Sequence, residues 1–168
     1  MEIIHLEDQQ TVQGPAETFS GQVTAILPQT EAQAAALKVA LGSDDYRVFI
    51  AMRYWHPFAD ETARAVRDWG AERIVLLPLY PQFSTTTTGS SLADWHRAAA
   101  KAGMNLPTAA IGCYADEGGF VAAQIGLLRA ALAQAEALGP ASAPIRILFS
   151  AHGLPKKVVT DGDPYQMQ

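Results

Sequence analysis

Short apolar runs alternate with helix-length segments from residue 30 onward, and this alternation constrains the fold more than any other feature. The runs are nearly continuous in apolar residues, which is typical of strands covered on both faces. A helix between successive strands requires a crossover, so the strands are expected to be parallel. The sequence therefore predicts an α/β domain with helices on both faces of a parallel sheet. The predicted strands are residues 46–52, 73–79, 107–112 and 144–150, with an additional strand at 22–27.

Capping and stop signals define the helices between these strands. Thr30 and Gln33 have the spacing of a capping box, and Gly42 ends the helix that they begin. Before residue 27 there is no convincing period, and residues 5–21 are predicted to form a loop. The predicted helices are residues 31–41, 58–69, 92–102 and 117–138.

Length, charge and cysteine content exclude several classes of protein. The chain has 168 residues, a length that suits one domain. Its formal net charge of −5 argues against nucleic acid as a partner. Cys113 is the single cysteine, so no internal disulfide and no cysteine-based zinc site are predicted. No apolar run reaches the roughly 18–20 residues that span a bilayer. The acidic N-terminus lacks a signal-peptide core, so we expect a cytoplasmic protein without a transmembrane segment.

Polar and aromatic residues follow the predicted strands at the point where each strand ends. An arginine and two aromatic residues follow the first strand, a tyrosine and a serine follow the second, and a histidine follows the last. Ligands of open parallel sheets bind beyond the carboxyl ends of the strands. Histidine titrates near neutral pH and also binds metals. The residues predicted to share this edge are Arg53, Tyr54, Tyr80, Ser84, Tyr114 and His152.

Structural roles compete with binding roles at these positions. A histidine after a strand is commonly a hydrogen-bonded loop residue, and Arg53 and Tyr54 can simply cap the sheet edge. Trp55 is expected to pack with or without a ligand, and hydroxyl groups around Ser84 can cap a helix. The sequence contains no glycine-rich nucleotide loop, nucleophile elbow or zinc-binding helix motif. Position alone therefore leaves binding and structural interpretations open.

Four stretches of the sequence carry a resemblance to a known family. They are TEAQAAAL (30–37), AMRYWHP (51–57), LPLYPQFSTTTTGSS (77–91) and ILFSAHGLPKKVVTDGDPY (147–165). Together they resemble ferrochelatase, whose members insert ferrous iron into a porphyrin in haem synthesis. The resemblance covers residues 27–168 and implies a flavodoxin-like, chelatase-like α/β domain. It also implies porphyrin and ferrous iron as substrates, protoporphyrin being the expected porphyrin, and no permanently bound cofactor.

The resemblance further implies roles for individual residues. His152 matches the family's catalytic histidine, which accepts pyrrole protons or takes part in metal delivery. The arginine and tyrosine of the family's MRY motif line the pocket near the macrocycle. The tyrosine and serine of its LYPQ-x-S motif contact the porphyrin or its propionates. The substrate-binding residues implied in this way are Arg53, Tyr54, Tyr80 and Ser84, with Trp55 beside the first pair.

The sequence departs from the family pattern in two places. Residues 1–26 do not resemble the family's first strand and glycine-rich turn, so they are left unassigned. The family's second domain is expected to be absent, and it would be the natural packing partner of this one. We therefore expect an incomplete chain with little turnover by itself, and peripheral membrane association stays open. The alternatives are a related chelatase for coproporphyrin or sirohydrochlorin with another metal, or a non-catalytic fragment that binds porphyrin.

Overall fold

The structure is a computed structural model that describes residues 2–7, 16–138 and 144–168. Side chains are described for residues 27–137 and 144–168. The chain divides into two compact units, residues 1–113 and 114–168. The first unit contains a parallel sheet with its helices, and the second contains a long helix, an irregular segment and a short helix.

The sheet of the first unit has four parallel strands in the order β2-β1-β3-β4. This order is that of a flavodoxin-like sheet, so the predicted α/β class with parallel strands is confirmed. The strands are β1 (Glu2–Glu7), β2 (Val48–Met52), β3 (Ile74–Pro78) and β4 (Thr108–Ala110).

Helices connect the strands in both directions across the sheet. The connection from β1 to β2 runs one way, and those from β2 to β3 and from β3 to β4 run the other way. Right-handed crossovers then place the first helix on one face and the next two on the opposite face. In agreement, α2 packs against α3, and α1 contacts β2. These helices are α1 (Ala16–Leu41), α2 (Ala59–Trp69) and α3 (Ser90–Lys101), and a π-helical turn (Thr85–Gly89) leads into α3.

The ends of α2 follow the signals in the sequence. At its start, the Glu61 carboxylate accepts a hydrogen bond from the Phe58 backbone N–H at 2.9 Å, which satisfies a donor that the helix leaves unpaired. At its end, Gly70 has φ +84°, and its N–H donates to the Arg67 carbonyl at 2.9 Å. Glycine adopts this left-handed conformation without a steric cost, so it is a natural stop for the helix.

The core lies between the sheet and the face formed by α2 and α3. Small side chains on α2 let the helix approach the strands closely, and Trp95 of α3, which is fully buried, fills the remaining space. The buried cluster comprises Ala51, Ala59, Ala63, Val66, Ala71, Ile74, Leu76, Trp95 and Ala98.

Three local predictions about the fold are wrong. Residues 22–27 lie inside α1, which begins at Ala16 rather than near Thr30. A short apolar run fits a strand and a buried helix equally well, and here the helix extends through it. The loop predicted at 5–21 is wrong at both ends, because residues 2–7 form the strand between β2 and β3 and residues 16–21 belong to α1. The middle of that loop, residues 8–15, lies outside the described residues. A pattern of six residues is too short to reveal this strand. The strand is also stabilised by partners that are distant in the sequence, which the local pattern does not show.

The predicted strand at 144–150 is also wrong, because these residues are irregular. Leu148 and Phe149 are each 90% exposed, although their apolar character indicated a buried strand. A strand forms only where a second backbone offers its hydrogen bonds, and composition does not report whether one is available.

The second unit contains α4 (Gly118–Leu138) and α5 (Lys156–Thr160), followed by a 3₁₀ turn (Tyr165–Met167). The helix predicted at 117–138 is therefore confirmed. Several large apolar side chains of α4 are exposed, and they are Val121, Ile125, Leu127 and Leu128.

Val66→Ala should lower the free energy of unfolding of the first unit by about 2 kcal/mol, because it removes two methyl groups from a closed core. Val39→Ala is the matched control, since Val39 is 81% exposed on α1 whereas Val66 is fully buried on α2. The control should change stability little, or raise it slightly, because alanine favours helix. Urea unfolding followed by tryptophan fluorescence measures both variants. Equal losses of stability would contradict this description of the core.

Candidate functional site

A closed loop follows β2 at the carboxyl edge of the sheet. The Met52 N–H donates to the Pro57 carbonyl at 2.8 Å, and Phe58 forms an isolated bridge with Met52. The Thr62 hydroxyl donates to the Ile50 carbonyl at 2.6 Å and ties α2 to the same strand. Residues 53–57 are therefore held as a compact projection beyond the end of β2.

Arg53, the first residue of this loop, is fixed by groups from α3. Its Nε donates to the Ser90 hydroxyl at 3.1 Å, and its Nη1 lies 3.8 Å from Asp94 Oδ2. The guanidinium carbon lies 4.8 Å from the centroid of the Tyr54 ring, within cation–π range. These contacts connect the loop after β2 to the segment after β3.

Two large aromatic side chains in the loop face solvent. Tyr54 is 48% exposed and Trp55 is 45% exposed, and the Trp55 and His56 rings meet edge to face with centroids 6.2 Å apart. Aromatic surface beside a fixed cation can bind a flat ligand that carries negative charge.

His56 and Glu61 form the base of the loop. His56 Nδ1 lies 3.1 Å from both Glu61 carboxylate oxygens, and its ring contacts the Phe58 ring with centroids 4.4 Å apart. Hydrogen bonds with the Phe58 N–H, which has the larger effect, and with His56 hold the pKa of Glu61 below its ordinary value. This pair anchors the loop to the first turn of α2.

A chain of alternating charges runs from the loop along the surface of α3 and α2. Asp94 Oδ1 accepts from Arg97 Nε at 3.1 Å and Nη2 at 2.8 Å, and Arg97 Nη2 also lies 2.9 Å from Asp60 Oδ1. Lys101 donates to Asp60 Oδ2 at 2.6 Å. The hydrogen bonds from Lys101 and then Arg97 hold the pKa of Asp60 below its ordinary value.

The segment after β3 forms the neighbouring wall of this edge. Tyr80 is partly buried there, and Ser84, only 1% exposed, caps the π-helical turn. The Ser84 hydroxyl accepts from the Thr86 N–H at 3.2 Å and pairs with the Thr86 hydroxyl at 2.8 Å. Turns of this kind are frequent at functional sites. The structure therefore uses Ser84 as a helix cap, and its contact with a porphyrin stays a prediction.

Tyr114 and His152 belong to the second unit. The Tyr114 ring packs edge to face on Phe120 with centroids 5.7 Å apart, and burial raises the pKa of its phenol. His152 is exposed in the irregular segment before α5. Their predicted sharing of the edge with Arg53 stays a prediction.

Sequence reasoning placed the arginine and aromatic residues correctly beyond β2 but missed Ser90 and Asp94. These two residues are four apart on α3, so they lie on one helix face. That spacing signals a polar face but not its partner, because Arg53 lies 37 positions away from Ser90 in the sequence.

A cavity of about 480 Å³ lies beside the base of this loop, at the outer edge of β2 between α1 and α2, and Pro57 forms part of its wall. Its lining is mainly apolar, with Glu31 and Glu61 among the wall residues. None of the predicted substrate-binding residues lines it.

Two other features are absent from the residues that the structure describes. No three or more His, Cys, Asp or Glu side chains there are grouped so that they could hold a metal ion. Among the helices within those residues, none is long and apolar enough to cross a membrane.

The family model for ferrochelatase matches residues 1–168, including the N-terminal segment that the motifs alone left out. The chain belongs to the ferrochelatase family. It is 49% identical over 154 residues to a ferrochelatase of Caulobacter vibrioides (strain NA1000 / CB15N), covering 88% of this chain and 42% of that protein. A ferrochelatase of Phenylobacterium zucineum (strain HLK1) is 46% identical over 170 residues, covering 99% of this chain and 47% of its own length.

The ferrochelatase relatives are longer than this chain. A third relative, a ferrochelatase of Hyphomonas neptunium (strain ATCC 15444), is 48% identical over 89% of this chain and 40% of its own. Across these three ferrochelatases, the chain therefore spans 40–47% of their length.

Glu61→Gln should lower stability at neutral pH and lose its effect in acid. A carboxyl group whose pKa is lowered on folding stabilises the fold at pH values above the pKa of the unfolded state, here about 4.5. That contribution disappears as the pH falls through the lower pKa of the folded state. Urea unfolding of both proteins at about pH 7 and about pH 3 measures the difference. Glu72→Gln, on an exposed loop, is the control, and an unchanged gap between wild type and Glu61→Gln at acidic pH would contradict the assignment.

Proposed function

We propose that the protein acts in the insertion of ferrous iron into protoporphyrin, as a metal chelatase of the lyase class. We place the macrocycle against the loop beyond β2. The observation that carries the proposal is a guanidinium held over Tyr54 beside exposed Trp55, in a chain of the ferrochelatase family. Iron and porphyrin are both substrates, and we propose that no cofactor is permanently bound.

The chemistry requires groups that hold the macrocycle and accept its protons. As ferrous iron enters, two pyrrole N–H bonds break, iron–nitrogen bonds form, and two protons leave without any change of oxidation state. We assign His152 as acceptor of one proton, with solvent taking the other, because imidazole suits proton transfer near neutral pH. The same ring can serve as a ligand for the incoming iron.

The other assigned residues bind rather than react. Trp55 and Tyr54 provide flat apolar contact for the macrocycle, and Arg53 provides positive charge for its propionates. Tyr80 and Ser84 are assigned to the neighbouring wall after β3.

Trp55→Ala should weaken protoporphyrin binding by the 168-residue chain about tenfold, because it removes one stacking surface. Trp69→Ala is the matched control, because Trp69 is 38% exposed but lies at the far end of α2. The control should bind like wild type. Titration of protoporphyrin, followed by its Soret absorbance, measures each dissociation constant. Absence of binding, or equal effects of the two substitutions, would contradict the proposed site.

Parallel titrations with coproporphyrin and sirohydrochlorin distinguish this proposal from a related chelatase. We expect protoporphyrin to bind most tightly, and tighter binding of another tetrapyrrole would move the proposal to that substrate. Anaerobic addition of ferrous iron should give metallation near the background rate, because the chain spans 40–47% of its relatives' length. Fast metallation that His152→Ala leaves intact would contradict the role assigned to His152.

A further inference from the structure

We propose that Ser90 and Asp94 are positioning residues, which fix the Arg53 guanidinium over the Tyr54 ring and present its Nη2 edge to a tetrapyrrole carboxylate. This proposal rests on the proposed function, because it concerns the same ligand. It assigns a role to α3, which contains none of the residues predicted to contact the substrate.

The two contacts on Arg53 leave one side of the guanidinium open. Ser90 receives the Nε hydrogen, and Asp94 faces Nη1. Nη2 has no partner among the residues that the structure describes, so both of its hydrogens remain available to a ligand. A planar guanidinium held in this way can donate to a carboxylate, because its donors lie in a fixed geometry.

The carboxylate of Asp94 is itself held in place. Its Oδ1 accepts two hydrogen bonds from Arg97, and this leaves Oδ2 directed at Arg53. Asp94 is 15% exposed and Arg53 is 30% exposed, so solvent screens the pair only in part. At 3.8 Å the carboxylate orients the cation without forming a tight pair, so the positive charge remains available to a ligand.

Orientation matters because arginine has many rotamers. An unconstrained Arg53 would lose that freedom on binding, and this loss would weaken affinity. Contacts from α3 impose the orientation before the ligand arrives. Ser90 and Asp94 should therefore affect tetrapyrrole affinity only while Arg53 is present.

The test is a double-mutant cycle on protoporphyrin binding by the 168-residue chain. Arg53→Gln should weaken binding about tenfold, and Asp94→Asn and Ser90→Ala each about threefold. In the Arg53→Gln background, Asp94→Asn should have no further effect. Ser90→Thr keeps the hydroxyl group and should bind like wild type.

Two control variants separate positioning from general damage. Asp68→Asn removes an exposed carboxylate paired with Arg67 at 2.7 Å, and Ser43→Ala removes an exposed hydroxyl bonded to Asp45. Both should bind protoporphyrin like wild type, and thermal unfolding of every variant identifies any that fail to fold.

Several results would overturn the proposal. Wild-type affinity in both Asp94→Asn and Ser90→Ala would show that α3 does not position Arg53. An equal loss from Asp94→Asn with and without Arg53 would show that Asp94 acts independently. These results leave the proposed function intact, whereas no protoporphyrin binding by the wild-type chain would overturn both.

Discussion

The parallel pairing of β1 with β2 on one side and β3 on the other is the constraint on which the rest of the first unit depends. Glu7 is level with Met52 of β2, and Leu6 is level with Pro78 of β3. The two strands that flank β1 therefore end at nearly the same height, about 10 Å apart. β1, a strand from the start of the chain, pairs with both of these strands. The loops that follow β2 and β3 therefore begin close together.

The contacts of Arg53 bridge this separation. Ser90 and Asp94 belong to the segment after β3, and they reach a side chain that follows β2. The loop of residues 53–57 is also closed on its own strand by Pro57 and on α2 by Glu61. A cation and exposed aromatic rings are thus held in a loop that β2, α2 and α3 fix in place, which is the support that precise ligand binding needs.

Local chemistry predicted much of the first unit. The strands at 46–52 and 73–79 and the glycine that ends α2 followed from apolar runs and capping signals. β1 and the irregular segment at 144–150 were mistaken because strand formation depends on partners far away in sequence. An apolar run shows what a segment would bury but not whether a neighbouring strand is available.

The position of the site residues beyond β2 could be predicted from the sequence, but their contacts could not. Arg53, Tyr54 and Trp55 could be placed beyond β2, because residues after a parallel strand lie at its carboxyl edge. The capping role of Ser84 was one of the two interpretations left open, and the structure shows that its hydroxyl serves the turn. The partners of Arg53 could not be predicted, since their contacts arise only when the loops after β2 and β3 are folded together.

The most direct test of the central claim is paramagnetic NMR with manganese(III) protoporphyrin bound to the ¹⁵N-labelled chain. The account predicts broadening of the amide resonances of residues 53–56 and 80–90, at the carboxyl ends of β2 and β3. The loops of residues 42–47 and 102–107, at the opposite ends of β2 and β4, serve as the internal reference and should remain sharp. Broadening concentrated in those loops, or in the cavity between α1 and α2, would contradict the account.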